Sequence, residues 1–265
     1  MRVVRSPEAM QRMALAWKRA GVRVGLVPTM GALHVGHLSL VRLARRRADV
    51  VVMSIYVNPA QFGPKEDFAK YPRPYARDRK LAEGAGVDVL FVPRSLYAED
   101  ASTMVEESEL SQGRCGASRP GHFRGVATVV AKLLLLVLPE VAVFGQKDAQ
   151  QCDVIARMVR DLHLPVKVLR APVVRDGRGL ALSSRNRYLG AEEYEQALAL
   201  PRVLAAVHRM KPAAAVREAR RQLERAPGVR VDYVEAVNGR LCAAVFVGRT
   251  RLIDNVALKV NGEIR

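Results

Sequence analysis

The sequence predicts an α/β protein: one parallel sheet with helices on both faces, followed by a smaller α+β domain. Two observations carry this. Through about the first two-thirds of the 265 residues, short apolar runs alternate with segments of helical periodicity, as repeated βαβ units do. Past about Val173 the alternation stops, and Ala-rich helical segments lead to two alternating apolar runs around Asn238-Gly239. The expected division is therefore 1–173 for the first domain and 174–265 for the second.

In chain order, Val22 to Val27 reads as a strand, followed by the turn Pro28-Thr-Met-Gly31. A helix is expected from near Gly36 through Leu38, Leu40, Val41, Leu43 and Ala44. Val50 to Val57, apolar apart from Ser54, and Val87 to Val92 read as strands buried on both faces. Val126 to Leu138 reads as a buried helix ended by Pro139. Val141 to Phe144 is the next strand, and Asp148 to Leu162 the next helix, with Ile155, Met158, Val159 and Leu162 facing inward. Pro165 to Leu169 closes the series as a strand. Right-handed crossovers assemble such strands into one parallel sheet, whose ligands sit at the strands' carboxyl ends.

The second domain starts with a polar loop, Arg175 to Gly179, that leads to Ser183-Ser-Arg-Asn186. Helices are expected over 191–209 and 212–225. The runs Val231–Val237 and Arg240–Val247 flank Asn238-Gly239, the signal of a type I′ hairpin.

Composition narrows the class. With 49% hydrophobic residues, 19 Gly and 14 Pro, the chain can bury a sizeable core and is neither disordered nor fibrous. The longest apolar run, Val126 to Pro139, carries Lys132 and is too short for a bilayer core of roughly 30 Å. No secretory leader pattern opens the sequence, so a cytoplasmic protein with no membrane partner is expected. Cys115, Cys152 and Cys242 are scattered and odd in number, which supports neither a disulfide framework nor a cysteine metal site.

The formal net charge of +17 invites a polyanion partner. The basic residues, however, are interleaved with acids and apolar positions, and Arg45-Arg46-Arg47 closes a helix, where cations suit the dipole. Only 5% of residues are aromatic, too few for base-stacking platforms. No nucleic-acid partner is expected; a local site for a small anionic ligand accounts for the charge better.

Four segments carry chemistry. Pro28-Thr-Met-Gly-Ala-Leu-His34-Val-Gly36-His37 follows the first of these strands and opens a helix, whose free N–H groups attract phosphate. His34 and His37, at i and i+3, point to one side and can donate to phosphate oxygens; a zinc site would need a third ligand nearby, and none lies close in sequence. Phe144-Gly-Gln-Lys147-Asp148-Ala-Gln-Gln151 repeats the strand-to-helix context, with Lys147 suited to a nucleotide phosphate and Asp148 to a ribose hydroxyl or a helix cap. Leu182-Ser-Ser-Arg185-Asn186 offers two hydroxyls and a guanidinium for charge developing on a leaving pyrophosphate. Asn58-Pro-Ala-Gln61-Phe62 offers amides that read hydroxyl and carboxylate groups of a small substrate. Neither a P-loop nor G-x-G-x-x-G is present.

In this order, and together with Gly116-Ala-Ser-Arg119-Pro-Gly-His122-Phe-Arg-Gly-Val126 and Thr250-Arg-Leu-Ile-Asp-Asn255, these segments resemble the pantothenate synthetase (pantoate–β-alanine ligase) family over nearly the whole chain. The His-x-Gly-His element alone points only to the wider nucleotidyltransferase superfamily. The resemblance implies a Rossmann-like first domain and a C-terminal domain that acts as a lid. It also implies ATP-dependent condensation of (R)-pantoate with β-alanine. Pantoyl adenylate is the implied intermediate, AMP and pyrophosphate are released, Mg²⁺ accompanies ATP, and relatives are homodimers.

By the same resemblance, Met30, Gly31, Ala32, Leu33, His34, Val35, Gly36 and His37 line the ATP site. So do Gly145, Gln146, Lys147, Asp148, Val174, Leu182, Ser183, Ser184 and Arg185. His34, His37, Lys147, Ser183, Ser184 and Arg185 are implied to be catalytic, through the charge that builds on the phosphates. Gln61 and Gln151 match the positions that grip pantoate, and Gln61 also serves β-alanine; Asn58, Arg119 and His122 are further implied substrate-binding residues, and Tyr71 and Asp78 are supporting candidates. Asp78 is the candidate metal ligand. The sequence departs from the family pattern in Gln146 for Glu, in Tyr56 for Phe, and in the tight connection at Asn238-Gly239, where relatives usually have a longer one.

Overall fold

The computed structural model describes residues 1–64 and 66–259. Its elements in chain order are β1 (Arg2–Val4), α1 (Pro7–Arg19), β2 (Val24–Thr29), α2 (Val35–Arg45), β3 (Val50–Ile55), α3 (Tyr75–Gly84), β4 (Val89–Phe91), α4 (Arg114–Ser118) and α5 (His122–Val137). They continue with β5 (Val141–Gly145), α6 (Ala149–Asp161), β6 (Lys167–Ala171), α7 (Ala191–Ala197), α8 (Ala199–Val207), α9 (Pro212–Glu224), β7 (Val229–Val237), β8 (Arg240–Val247) and β9 (Thr250–Ala257). Short 3₁₀ turns occupy Pro59–Gln61, Gln146–Asp148 and Ser184–Tyr188. Two compact units result: Met1–Gln146 with Gln150–Pro172, and Lys147–Ala149 with the described residues from Val173 onward.

The first unit holds a six-stranded sheet in the order β1-β4-β3-β2-β5-β6, every pair parallel. From β2 the chain moves outward on one side through β3 and β4, and on the other through β5 and β6. The strand order therefore reverses between β2 and β5, and the segments leaving those two strands start side by side at the switch point. The core on one side joins Val27, Val51, Met53, Leu90 and Val143 of the sheet to Leu40, Val41 and Ala44 of α2. Close packing of α2 requires a glycine below it: a Cβ on Gly25 would stand 3.0 Å from Ala48 Cβ and 3.3 Å from Ala44 Cβ.

β2 runs two residues past its expected end, through Pro28 and Thr29. Thr29 O accepts from the Tyr56 N–H, so Thr29 faces β3 and Pro28 faces β5. Pairing with β5 ends at Leu26↔Ala142, so the missing proline N–H leaves no ladder bond unmade. β1, α1, α3, α4 and β9 lie outside the elements expected from the sequence. β1 is three residues long and α4 five, and α3 buries only Asp78 and Ala82, too few for a clear period. α1 does carry a start signal, Ser6 as N-cap accepting the Ala9 N–H and Pro7 at the first position.

In the second unit β7, β8 and β9 form an antiparallel sheet. Leu241, Ala243, Val245 and Val247 of β8 share a core with Leu204 and Val207 of α8 and Ala215, Ala219 and Leu223 of α9. The helix expected over 191–209 is broken in two. Pro201 lacks the N–H that would bond the Ala197 carbonyl, and its ring crowds that carbonyl, so the helix restarts at Ala199. Among the described residues, no helix is long and apolar enough to cross a membrane.

Asn238 (φ 51°) and Gly239 (φ 70°) make the two-residue turn between β7 and β8, both left-handed as a type I′ turn requires. No atom lies within 4 Å of where a Gly239 Cβ would stand, so a substitution there meets backbone strain alone. Gly239→Ala is expected to destabilise the protein by about 1–2 kcal/mol. A urea-unfolding midpoint equal to that of the unmodified chain would contradict the turn geometry.

Candidate active site

The segment leaving β2 is held before any ligand is considered. Thr29 Oγ1 donates to Ser54 O at 2.6 Å and accepts the Gly31 N–H at 3.2 Å. Gly31 (φ 83°) and Ala32 (φ 51°) are both left-handed, and the turn they make aims the next two N–H groups at Asp78. Asp78 Oδ2 accepts the Ala32 N–H at 2.7 Å, and Oδ1 the Leu33 N–H at 2.8 Å. The Asp78 residue is 1% exposed. Both oxygens of Asp78, expected from the sequence as a metal ligand, thus hold the main chain of the segment leaving β2.

α2 begins one residue earlier than expected, with His34 as its N-cap. His34 Nδ1 accepts the Gly36 N–H at 3.2 Å, and His37 Nδ1 accepts the His34 N–H at 3.3 Å. The rings lie 4.1 Å apart, tilted by 41°. A ring nitrogen that accepts carries no proton, so in each neutral imidazole the hydrogen is on Nε2. The histidines cap the helix with one nitrogen and are donors at the other.

The segment leaving β3 is built around Gln61, which is buried in the 3₁₀ turn Pro59–Gln61. Asn58 Nδ2 donates to Gln61 Oε1 and to Gly125 O, each at 3.0 Å. Gln61 Nε2 donates to Met30 Sδ at 3.3 Å, which joins this segment to the one leaving β2. Asn58 Oδ1 accepts from Tyr97 Oη at 2.9 Å. Burial, with Tyr56 adding to it, pushes the Tyr97 phenol up to about 12 against the pull of the Asn58 bond, so Tyr97 stays a donor at neutral pH.

Arg119 and His122 meet Gln61 at its main chain. His122 Nδ1 lies 2.8 Å from Gln61 O and Arg119 Nη2 3.3 Å from it. The carbonyl can only accept, so His122 carries its proton on Nδ1 and its Nε2 accepts from Arg119 Nη1 at 3.0 Å. Glu66 completes the set with two bonds to Arg119, at 2.7 and 2.5 Å. Tyr71 packs edge-on against Phe62, with ring centroids 5.9 Å apart. Glu66 and Tyr97 had no signal in the sequence, because each is an ordinary loop residue until the fold brings its partner.

Gln151 lies half-buried on the first turn of α6. Its neighbour Gln150 serves structure: its Nε2 donates to Leu110 O and Gln112 O at 2.9 and 3.0 Å, and its Oε1 accepts the Cys115 N–H at 3.0 Å.

Within the second unit, the Leu182 N–H donates to Val174 O at 2.9 Å, bringing two of the expected nucleotide-site residues together. Ser183 caps the 3₁₀ turn Ser184–Tyr188, its Oγ accepting the Arg185 N–H at 3.2 Å. Lys147 Nζ lies 3.7 Å from Asp148 Oδ1 in the turn after Gly145. Among the described residues, no group of three or more His, Cys, Asp or Glu side chains gathers to hold a metal ion.

A parallel sheet whose switch point carries two helix-capping histidines is the framework of an α/β enzyme that handles the phosphates of a nucleotide. Comparison with known proteins narrows this class. The family model for pantoate-beta-alanine ligase matches residues 2–257. The pantothenate synthetase of Moorella thermoacetica is 50% identical over 282 residues, covering 98% of this chain and 100% of that protein. That of Thermotoga neapolitana is 48% identical over 279 residues, covering 97% and 100%. The crystal structure of pantothenate synthetase from Thermus thermophilus superposes with a TM-score of 0.89 at 45% identity, covering 97% of this chain and 99% of that one. The Francisella tularensis pantoate-beta-alanine ligase, crystallised with beta-gamma ATP and beta-alanine, gives 0.86 at 33% identity, covering 97% of each chain. The chain belongs to the pantoate-beta-alanine ligase family and is a ligase.

Two substitutions test the geometry. Asp78→Asn turns one acceptor into an amide that faces a main-chain N–H. It is expected to cost about 1–3 kcal/mol of stability and roughly tenfold in kcat/KM. A variant of unchanged stability whose only defect is its Mg²⁺ dependence would make Asp78 a metal ligand instead. A Cβ on Gly125 would stand 2.2 Å from Ala60 O, so Gly125→Ala must displace the turn that carries Gln61. Turnover is expected to fall about tenfold or more; wild-type turnover would show that the turn's position is not critical.

Proposed function

We propose that the enzyme makes pantothenate in two displacements. A carboxylate oxygen of pantoate attacks the α-phosphorus of ATP; the bond to the bridging oxygen breaks and pyrophosphate leaves. The amine of β-alanine then attacks the acyl carbon of pantoyl adenylate, AMP leaves, and the amine sheds its proton. The observation that carries this reading is the pair His34 and His37, each Nδ1 taken by the start of α2 and each Nε2 a donor. Support for the substrates comes from the Francisella tularensis ligase and its beta-gamma ATP and beta-alanine.

In this reading His34 and His37 donate to the phosphate oxygens as charge develops, and the residues from Met30 to His37 and from Gly145 to Asp148 hold ATP with Val174 and Leu182. Lys147, Ser183, Ser184 and Arg185 offset the charge of the departing pyrophosphate. Gln61 and Gln151 bind pantoate, and Gln61 also the β-alanine. Asn58, Arg119 and His122 act by holding Gln61. No general base is required for the first step, because the nucleophile is already a carboxylate. Mg²⁺ arrives on the ATP phosphates and neutralises part of their charge when bound; no protein ligand is assigned to it. A cytoplasmic location and a homodimer complete the proposal, and sedimentation velocity tests the second.

Pyrophosphate exchange into ATP is expected only when pantoate is present. Exchange that ignores pantoate would overturn the reading. His37→Ala and Lys147→Ala are each expected to lower kcat about a hundredfold or more while leaving the fold intact; near-normal turnover in either removes that residue from the mechanism.

A further inference from the structure

The sequence segment Thr250 to Asn255 has no role in the two displacements, yet its end is among the most buried polar stretches of the second unit. Asp254 and Asn255 on β9 are each 2% exposed. Arg175 grips Asp254 with two bonds, at 2.6 and 2.9 Å, and the Asn255 N–H donates to Asp254 Oδ1 at 2.7 Å. The Asn255 side chain is thereby fixed at its root. Its amide is fixed at the tip as well: Oδ1 accepts from Arg240 Nε at 2.7 Å, and Nδ2 donates to Lys147 O at 3.0 Å.

The direction of that amide is determined by both neighbours. Arg240 can only donate and a carbonyl can only accept, so the flipped amide would set donor against donor and acceptor against acceptor. Arg240 is the first residue of β8, directly after the Asn238-Gly239 turn. Its guanidinium reaches Asn255 across the β8–β9 pair, where Cys242 is opposite Asn255. A tight hairpin, an arginine, a buried amide and the Lys147 carbonyl thus form one connected line.

Lys147 ends in a flexible four-carbon stem, so its reach depends on where its main chain is held. Lys147–Ala149 groups with the second unit, whereas Gln146 before it and Gln150 after it belong to the first. We propose that Asn255 is a positioning residue for Lys147, anchoring the carbonyl from which the lysine projects, and that Arg240 orients Asn255 for this task. The inference rests on the reading that Lys147 offsets phosphate charge.

The discriminating variant is Asn255→Asp. It keeps the side-chain volume and the Arg240 partner, but sets an oxygen against the Lys147 carbonyl. Pantoate-dependent ATP–pyrophosphate exchange is measured for the unmodified protein, Asn255→Asp, Lys147→Ala and the double variant, with melting temperature recorded for each. Asn255→Asp is expected to lower kcat about ten- to a hundredfold and to leave the KM for pantoate within about twofold. In the Lys147→Ala background the same change is expected to cost less than about twofold, because the group it positions is gone.

Asn255→Ala, which removes the bond without adding repulsion, is expected to fall between the unmodified protein and Asn255→Asp. Should Asn255→Asp fail to fold, Asn255→Ala takes its place in the cycle. Losses that multiply in the double variant would show a general structural role and overturn the proposal. So would full activity in both Asn255 variants alongside an impaired Lys147→Ala. Normal exchange by Lys147→Ala overturns the reading of the lysine itself, and the anchor with it.

Discussion

A buried carboxylate on α3, Asp78, that grips the main chain leaving β2 is the constraint on which this structure depends. Asp78 cannot be buried cheaply alone, since an isolated charge loses its hydration. The Ala32 and Leu33 N–H groups cannot be buried cheaply either, because the left-handed turn at Gly31 and Ala32 removes them from any ladder. Each satisfies the other. The turn fixes where α2 begins, and the position of α2 fixes both histidine rings. Asp78 thus decides where the two imidazoles proposed to donate to phosphate stand.

The same logic recurs at the other two segments. Gln61 is held by its own carbonyl, through His122 and Arg119, with Glu66 behind them. Lys147 is held by its carbonyl through Asn255. Main-chain anchoring of this kind fixes the point from which each side chain projects. It also explains the helix-capping arrangement of the histidines, in which one ring nitrogen secures the backbone and the other remains a donor. In-line displacement at phosphorus demands little covalent chemistry from the protein and a great deal of positioning, and in the proposed mechanism these anchors provide it.

The charge of +17 has a correspondingly modest explanation. Many arginines are engaged in ion pairs: Arg23 with Asp49, Arg119 with Glu66, Arg170 with Asp153, Arg175 with Asp254 and Arg251 with Asp232. Of these, Arg119 and Arg175 act within the networks that hold Gln61 and Asn255. A formal excess of positive charge therefore says less about partners than the few positions where a guanidinium is aimed at a buried group.

Features under local physical control were legible in the residues alone. The alternation of buried strands and amphipathic helices specified the parallel sheet, the His-x-Gly-His spacing marked the start of α2, and Asn238-Gly239 specified the turn, since each is settled within a few residues. Residue types also revealed the phosphate chemistry and, through resemblance, its substrates. The roles of Asp78, Glu66 and Asn255 were decided by the tertiary structure instead. Their partners are 46, 53 and 108 residues away along the chain. A carboxylate or an amide in a sequence carries no sign of which distant group it will meet. That is fixed only when burial removes water as the alternative partner.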